Sequence, residues 1–201
     1  MPTFTRERQF DGPVAGIDEA GRGPLAGPVF AAAVILDRAR IPSGLNDSKK
    51  LTPAQREVAF DKIMTQALAV GVGSCDVDEI DTLNILGATM LAMRRAADAL
   101  SLKPAHALVD GNRAPALLCP VETLVEGDAK SLSIAAASIV AKVLRDRVMR
   151  ELDLQHPRYN WAQNKGYGTR DHIAALNEFG PTAHHRMSFA PVAQAKLQFA
   201  G

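Results

Sequence analysis

Two apolar runs, Val14 to Asp18 and Val29 to Leu36, lie on either side of a Gly- and Pro-rich stretch from Gly21 to Pro28. Runs this short, bounded by turn residues, read as two strands of a hairpin. Beyond them, helical and strand patterns alternate. Thr52 as N-cap, Pro53 at the first helical position and Gln55 three residues after the cap form a capping box. Phe60, Ile63, Met64, Ala67 and Leu68 then recur at helical spacing. Val70 to Val77 reads as a third strand, and Leu86, Met90, Met93, Ala97 and Leu100 mark a second amphipathic helix. Ala105 to Asp110 and Val121 to Val125 read as the fourth and fifth strands. A long helix from about Ser131 to Leu152 carries Ala137, Ala141, Leu144, Val148 and Leu152 on one stripe. This order predicts an α/β fold with a mixed five-stranded sheet flanked by helices.

With 201 residues and 47% hydrophobic content, one sizeable core is expected. The reading is a single domain over 1–201, with a core from about 14 to 155 and a C-terminal helical extension from about 156 to 201. A net charge of +1 excludes a uniformly basic surface, so any polyanion must be met by local patches. The two cysteines, Cys75 and Cys119, show no zinc or disulfide spacing and read as reduced thiols of a cytoplasmic protein. The polar N-terminus lacks the apolar segment of a secretory signal, and the longest apolar stretch, Pro24 to Leu36, is too short to span a bilayer. No membrane association is expected, and monomer is the default state.

Chemistry concentrates at the strand ends. Asp18 and Glu19 close the first strand, Asp110 closes the fourth, and Asp128 comes after the fifth in Glu126-Gly127-Asp128. In sheets with crossover helices, ligands collect where strands terminate, so these four acids are expected to converge. Converging carboxylates repel one another unless a cation neutralises them. An oxygen-only donor set without His or Cys points to Mg²⁺ or Mn²⁺. Two such ions about 4 Å apart suit phosphodiester hydrolysis by an activated water, with a rate rising from neutral to mildly alkaline pH. Arg22, Lys49, Lys50, Lys130, Lys142 and Arg145 lie close in sequence to these positions and are candidates for neutralising phosphates. Lys142, Arg145 and Arg147 equally describe a solvated helix face. Tyr167, between Gly166 and Gly168, is placed to offer a ring to a sugar or base.

Other signals are weaker. Gly21-Arg22-Gly23-Pro24-Leu25-Ala26 fits a loose dinucleotide pattern, but the residues after it read as turn then strand rather than a helix. His184 and His185 on an irregular segment read as structural, His106 as a strand residue, and His172, opening a helix, as exposed.

The chain resembles the bacterial ribonuclease HII family. The resemblance rests on Gly16 to Pro28 (GIDEAGRGPLAGP), Asp47-Ser48-Lys49-Lys50-Leu51, Val109-Asp110-Gly111-Asn112, Gly127-Asp128-Ala129-Lys130-Ser131, Gly166-Tyr167-Gly168-Thr169, and His185-Arg186 with Ser188-Phe189-Ala190-Pro191. It implies a ribonuclease H-like fold and metal-dependent cleavage of RNA in RNA-DNA hybrids. It also implies cutting at single ribonucleotides in duplex DNA, leaving 3′-hydroxyl and 5′-phosphate ends, in ribonucleotide removal during replication and repair. By the same resemblance Asp18, Glu19, Asp110 and Asp128 are the catalytic metal ligands. Gly21, Arg22 and Gly23 resemble the loop that reads the ribose 2′-hydroxyl, and Tyr167 the residue stacking beside the RNA-DNA junction. Met187 departs from the family, in which a basic residue often stands between the Arg and the Ser. Residues 194–199, Gln-Ala-Lys-Leu-Gln-Phe, resemble peptides that dock on sliding clamps, which makes a clamp a candidate partner of a flexible tail.

Overall fold

The computed structural model describes residues 1–199. Strand β1 (Val14–Ala20) pairs antiparallel with β2 (Val29–Ile35), which pairs antiparallel with β3 (Ala69–Cys75). On its other side β1 runs parallel to β4 (His106–Asp110), and β4 runs parallel to β5 (Val121–Leu124). The order is β3-β2-β1-β4-β5, a mixed five-stranded sheet. Among the described residues no helix is long and apolar enough to cross a membrane.

Helix α1 (Pro53–Gln66) starts at the expected Thr52–Gln55 capping box, with both reciprocal hydrogen bonds formed. Helix α2 (Val77–Asp98) begins nine residues before Leu86. Asp76 caps it through a second capping box with Glu79, so Val77 belongs to the helix and not to β3. A break at Asn84, with φ of +59°, divides α2, and the Asn84 side chain recaps the second half by accepting from the N–H groups of Leu86 and Gly87. Helix α3 (Leu132–Gln155) is capped by Ser131.

Helix α2 covers one sheet face, burying Ala15, Ile17, Ala31, Ala33 and Ile35 against Ala88, Ala92, Met93 and Ala96. Helices α1 and α3 cover the other, with Ala32 and Val34 against Ala136, Ile139 and Val140. Small residues bring these layers close. A Cβ at Gly16 would stand 2.1 Å from the Ser133 carbonyl carbon in α3. A methyl group there costs about 1–3 kcal/mol or displaces the helix. The same approach holds Asp18, two residues along and on the same face as Gly16, against α3.

Beyond α3 lie a single turn α4 (Trp161–Asn164), α5 (Arg170–Phe179) and α6 (Ala190–Phe199). Buried Trp161 and Tyr159 stack at 5.1 Å and pack with Ala26 and Met149. The extension thus closes over the β1–β2 loop. Two sequence expectations change here. His172 is fully buried: its Nε2 accepts from the Trp161 indole N–H at 3.1 Å and faces His185 Nε2, also at 3.1 Å. Residues 194–199 are helical and do not form a flexible tail; Ala195 is buried, while Leu197 is exposed and Phe199 half-exposed.

Candidate active site at the ends of β1 and β4

The parallel register of β1 and β4 ends with Ile17 opposite Val109, so Asp18 and Asp110 are the next residues on adjoining strands. They line one cleft of about 250 Å³ with Glu19, Gly21, Arg22, Gly23, Lys49, Ser138, Lys142, Arg145 and Tyr167. Asp128 sits beside this cleft in a helical turn after β5, and its carboxyl experiences the charges of Asp110 and Lys49.

These acids are electrostatically strained. Burial pushes the Asp18 carboxyl well above the usual range, and repulsion from Glu19 and Asp110 adds to it. The Glu19 N–H, donating to Asp18 Oδ1 at 2.7 Å, and the Ser138 hydroxyl oppose the rise. Glu19 is also raised, by burial first, against the pull of Arg22, whose Nη1 donates to Oε1 at 3.3 Å. Burial and repulsion from Asp47 and Asp110 raise Asp128. Asp110 is held by the Gly127 N–H, which donates to Oδ1 at 2.6 Å. A side chain at Gly127 would crowd that oxygen, with a Cβ 3.2 Å away.

Besides Arg22, Lys49 responds to this cluster. Burial alone would lower its pKa, yet Asp128, Asp47, Asp18 and Asp110 together raise it. Among the described residues no three carboxylates already stand in ligating geometry. The donors are all oxygen, the set that suits a hard divalent ion.

The sequence expectations divide here. Asp18, Glu19, Asp110, Gly21, Arg22, Gly23, Lys49 and Tyr167 share one cleft, and Lys142 and Arg145 line it too. The Tyr167 ring is half-exposed, and its Cε1 would lie 3.4 Å from a Cβ on Gly23. Lys50 and Lys130 do not line it: Lys50 lies 3.9 Å from Asp47, and Lys130 donates to the Val125 carbonyl. Arg145 is not solvated. It is 1% exposed, and its guanidinium donates to the carbonyls of Pro28, Lys165 and Ala26. Arg147 does sit at the surface, paired with Glu57. Met187 packs beside Leu25, Leu176 and Val192, which accounts for an apolar residue at that position.

Two members of the cluster escaped the sequence reading. Asp47 lies next to Asp128 and accepts from the Lys49 N–H, ordering the turn that carries Lys49. Ser138 bonds Ser48 at 2.8 Å and reaches Asp18. Asp47 was within reach of sequence, since it opens the Asp47-Ser48-Lys49-Lys50-Leu51 motif. Ser138 lies mid-helix with no local signal.

Comparison with known proteins agrees with this architecture. The ribonuclease HII family model matches residues 15–192. A ribonuclease HII from Paramagnetospirillum magneticum is 57% identical over 201 residues, covering 98% of this chain and all of that protein. Among solved structures, the ribonuclease H2 from Pyrococcus horikoshii superposes with a TM-score of 0.80 at 28% identity, covering 94% of this chain and 99% of that one. The PCNA:RNase HII complex from Archaeoglobus fulgidus contains a chain matching with a TM-score of 0.74 at 27% identity, over 91% of this chain and 96% of that one. The fold is that of the ribonuclease H2 structures, and with this match across nearly its whole length the chain belongs to the ribonuclease HII family and is a ribonuclease H enzyme.

Proposed function

We propose that this chain is an endonuclease that cuts the RNA strand of RNA-DNA hybrids and cleaves at single ribonucleotides within duplex DNA, leaving 3′-hydroxyl and 5′-phosphate ends. The observation that carries the reading is buried Asp18 set against half-buried Glu19 and Asp110, which repel it, in one cleft with a glycine-bracketed Arg22 and a half-exposed Tyr167. A fold evolved for stability alone would not retain such repulsion without a cation to relieve it.

Asp18, Glu19, Asp110 and Asp128 are the residues to hold one or two Mg²⁺ or Mn²⁺ ions. Bound there, the ions supply positive charge to the scissile phosphate and lower the pKa of water. The chain's own groups do the rest. Lys49 and Arg22 meet the phosphates flanking the cut, Gly21 to Gly23 present main chain to the ribose 2′-hydroxyl, and Tyr167 stacks at the junction. Asp110 keeps its orientation through the Gly127 N–H, and Asp18 through the Glu19 N–H and Ser138.

The natural setting of this activity is ribonucleotide removal during replication and repair in the cytoplasm, by a single domain acting as a monomer. Helices α4 to α6 pack onto the 14–155 core through Trp161, Arg145 and Arg186, which supports one folding unit. Docking of residues 194–199 on a sliding clamp gains support from the exposed Leu197 and from the PCNA-bound relative.

The test is incubation with duplex DNA containing one ribonucleotide, with and without Mg²⁺, beside an all-DNA control. Metal-dependent cutting beside the ribonucleotide alone is the expected result. Cutting of the all-DNA duplex at an equal rate contradicts the reading.

A further inference from the structure

Arg186 is fully buried, yet no carboxylate pairs with it. All five of its N–H groups are used on main-chain carbonyls: Nε and Nη2 donate to Gly27, Nη1 to Arg22 and Pro24, and Nη2 also to Gly21, at 2.6–3.0 Å. Burial pushes its pKa down to about 9, so this is a costly way to fill space. A hydrophobic side chain would pack the same volume more cheaply.

The geometry gives that cost a purpose. In a trans peptide the C=O and the N–H of the next residue point in opposite directions, and the chain contains no cis bonds. Drawing the Pro24 carbonyl inward sends the Leu25 N–H outward, where it reaches the Gly166 carbonyl at 2.8 Å, one residue from Tyr167. Drawing in Gly21 and Arg22 does the same to the N–H groups of Arg22 and Gly23. Among the described residues neither of those finds an acceptor, and both belong to the loop that lines the acidic cleft. Two unpaired main-chain donors in a loop that lines the acidic cleft are suited to a hydroxyl ligand.

We propose that Arg186 is the positioning residue for ribose recognition, its guanidinium fixing the peptide planes of Gly21 and Arg22 so that the N–H groups of Arg22 and Gly23 face the substrate. This rests on the proposed reading of that loop as the ribose sensor. Arg186 is itself held from behind. The Phe189 ring lies 5.2 Å from its guanidinium carbon, and Asp81 of α2 accepts from the N–H groups of Met187 and Ser188 and from the Ser188 hydroxyl. The orientation of the loop is therefore set by α2, on the far side of the sheet from α3.

The test measures Kd, in EDTA so that nothing is cut, for a duplex with one ribonucleotide and for the same sequence as all DNA. The proteins are wild type, Arg186→Lys, Asp81→Asn and, as a destabilised control in α1, Ile63→Ala. Arg186→Lys should lose about tenfold of the preference for the ribonucleotide, with all-DNA affinity unchanged. Asp81→Asn, which leaves the guanidinium in place, should lose about threefold and serves alone if Arg186→Lys does not fold. Ile63→Ala should keep the wild-type preference. Absence of any preference in wild type overturns the ribose-sensing reading. A wild-type preference retained by folded Arg186→Lys or by Asp81→Asn, or lost equally in Ile63→Ala, overturns the role of Arg186.

Discussion

Charge is buried on both sides of the Gly21 to Pro28 loop, and the two sides resolve it in opposite ways. Towards the strand ends, Asp18, Glu19 and Asp128 are desolvated among like charges, and their carboxyls are all raised. Towards the extension, Arg145 and Arg186 are desolvated as well, but main-chain carbonyls occupy their donors in place. On the proposed reading, one side is completed by an added cation. The other is complete in the chain alone. Unresolved electrostatics mark the place where something binds, and satisfied electrostatics mark the scaffold that aims it.

The sharpest way to break this contrast is to neutralise one acid. Asp18→Asn and Asp128→Asn should each lower cleavage by about a thousandfold while raising the melting temperature of the metal-free protein. A variant that loses stability along with activity would place these acids with the scaffold.

The opposite substitution probes the satisfied side. Arg145→Ala removes the donor from the buried Ala26 carbonyl and from the part-buried carbonyls of Pro28 and Lys165, and should cost about 3 kcal/mol, a fall of roughly 6–12 °C in melting temperature. A loss within the error of the melt would remove Arg145 from the framework.

Metal should act on the acid side alone. A carboxyl with a raised folded-state pKa favours folding below its unfolded value and loses that contribution as pH climbs through the folded one. The metal-free protein is therefore penalised at neutral pH at Asp18 and Glu19, and a divalent ion relieves the penalty. At a hundredfold excess over Kd, Mg²⁺ or Mn²⁺ should stabilise by about 2.7 kcal/mol, more at pH 8 than at pH 5, because protonated carboxylates do not ligate. Equal stabilisation of Asp128→Asn would contradict this.

The histidine cluster has the reverse sign. Burial, with His172, His156 and His184 nearby, pushes His185 down to about 3 from 6.5. Its contribution is complete above pH 6.5 and is lost as pH falls towards 3, the loss reaching about 2 kcal/mol by pH 5. His185→Gln should flatten the decline in melting temperature between pH 7 and pH 5. An unchanged slope would show that His185 does not titrate with unfolding.

The same contrast explains what the sequence made legible. All five strands and the Thr52 helix start are local patterns, and their observed limits fall within one or two residues of those expected from period and capping. The acids were legible because they lie at or near the C-terminal ends of strands, Asp110 as the last residue of β4, Asp18 and Glu19 in the final residues of β1 and Asp128 in the turn after β5. Arg145 and His172 were misread for a shared reason. Each looks polar and solvated in its own helix, and what covers it comes from far along the chain, the 21–28 loop for Arg145 and His185 for His172. Helical periodicity reports a residue's face but not a second layer laid over it. The start of α2 was different. Asp76 and Glu79 carried a local capping signal that was obscured by Val77, which extends the apolar alternation of β3.

The central claim is that a strained acid cluster cuts where the loop beside it finds a ribose. Its most direct test is the rate at which wild type and Asp128→Asn cleave a DNA duplex bearing one ribonucleotide in Mg²⁺, with product ends identified. Wild type should cut only beside the ribonucleotide and leave 3′-hydroxyl and 5′-phosphate ends, and Asp128→Asn should be slower by about a thousandfold. Cleavage by Asp128→Asn at the wild-type rate, or cutting that ignores the ribonucleotide, would contradict the account.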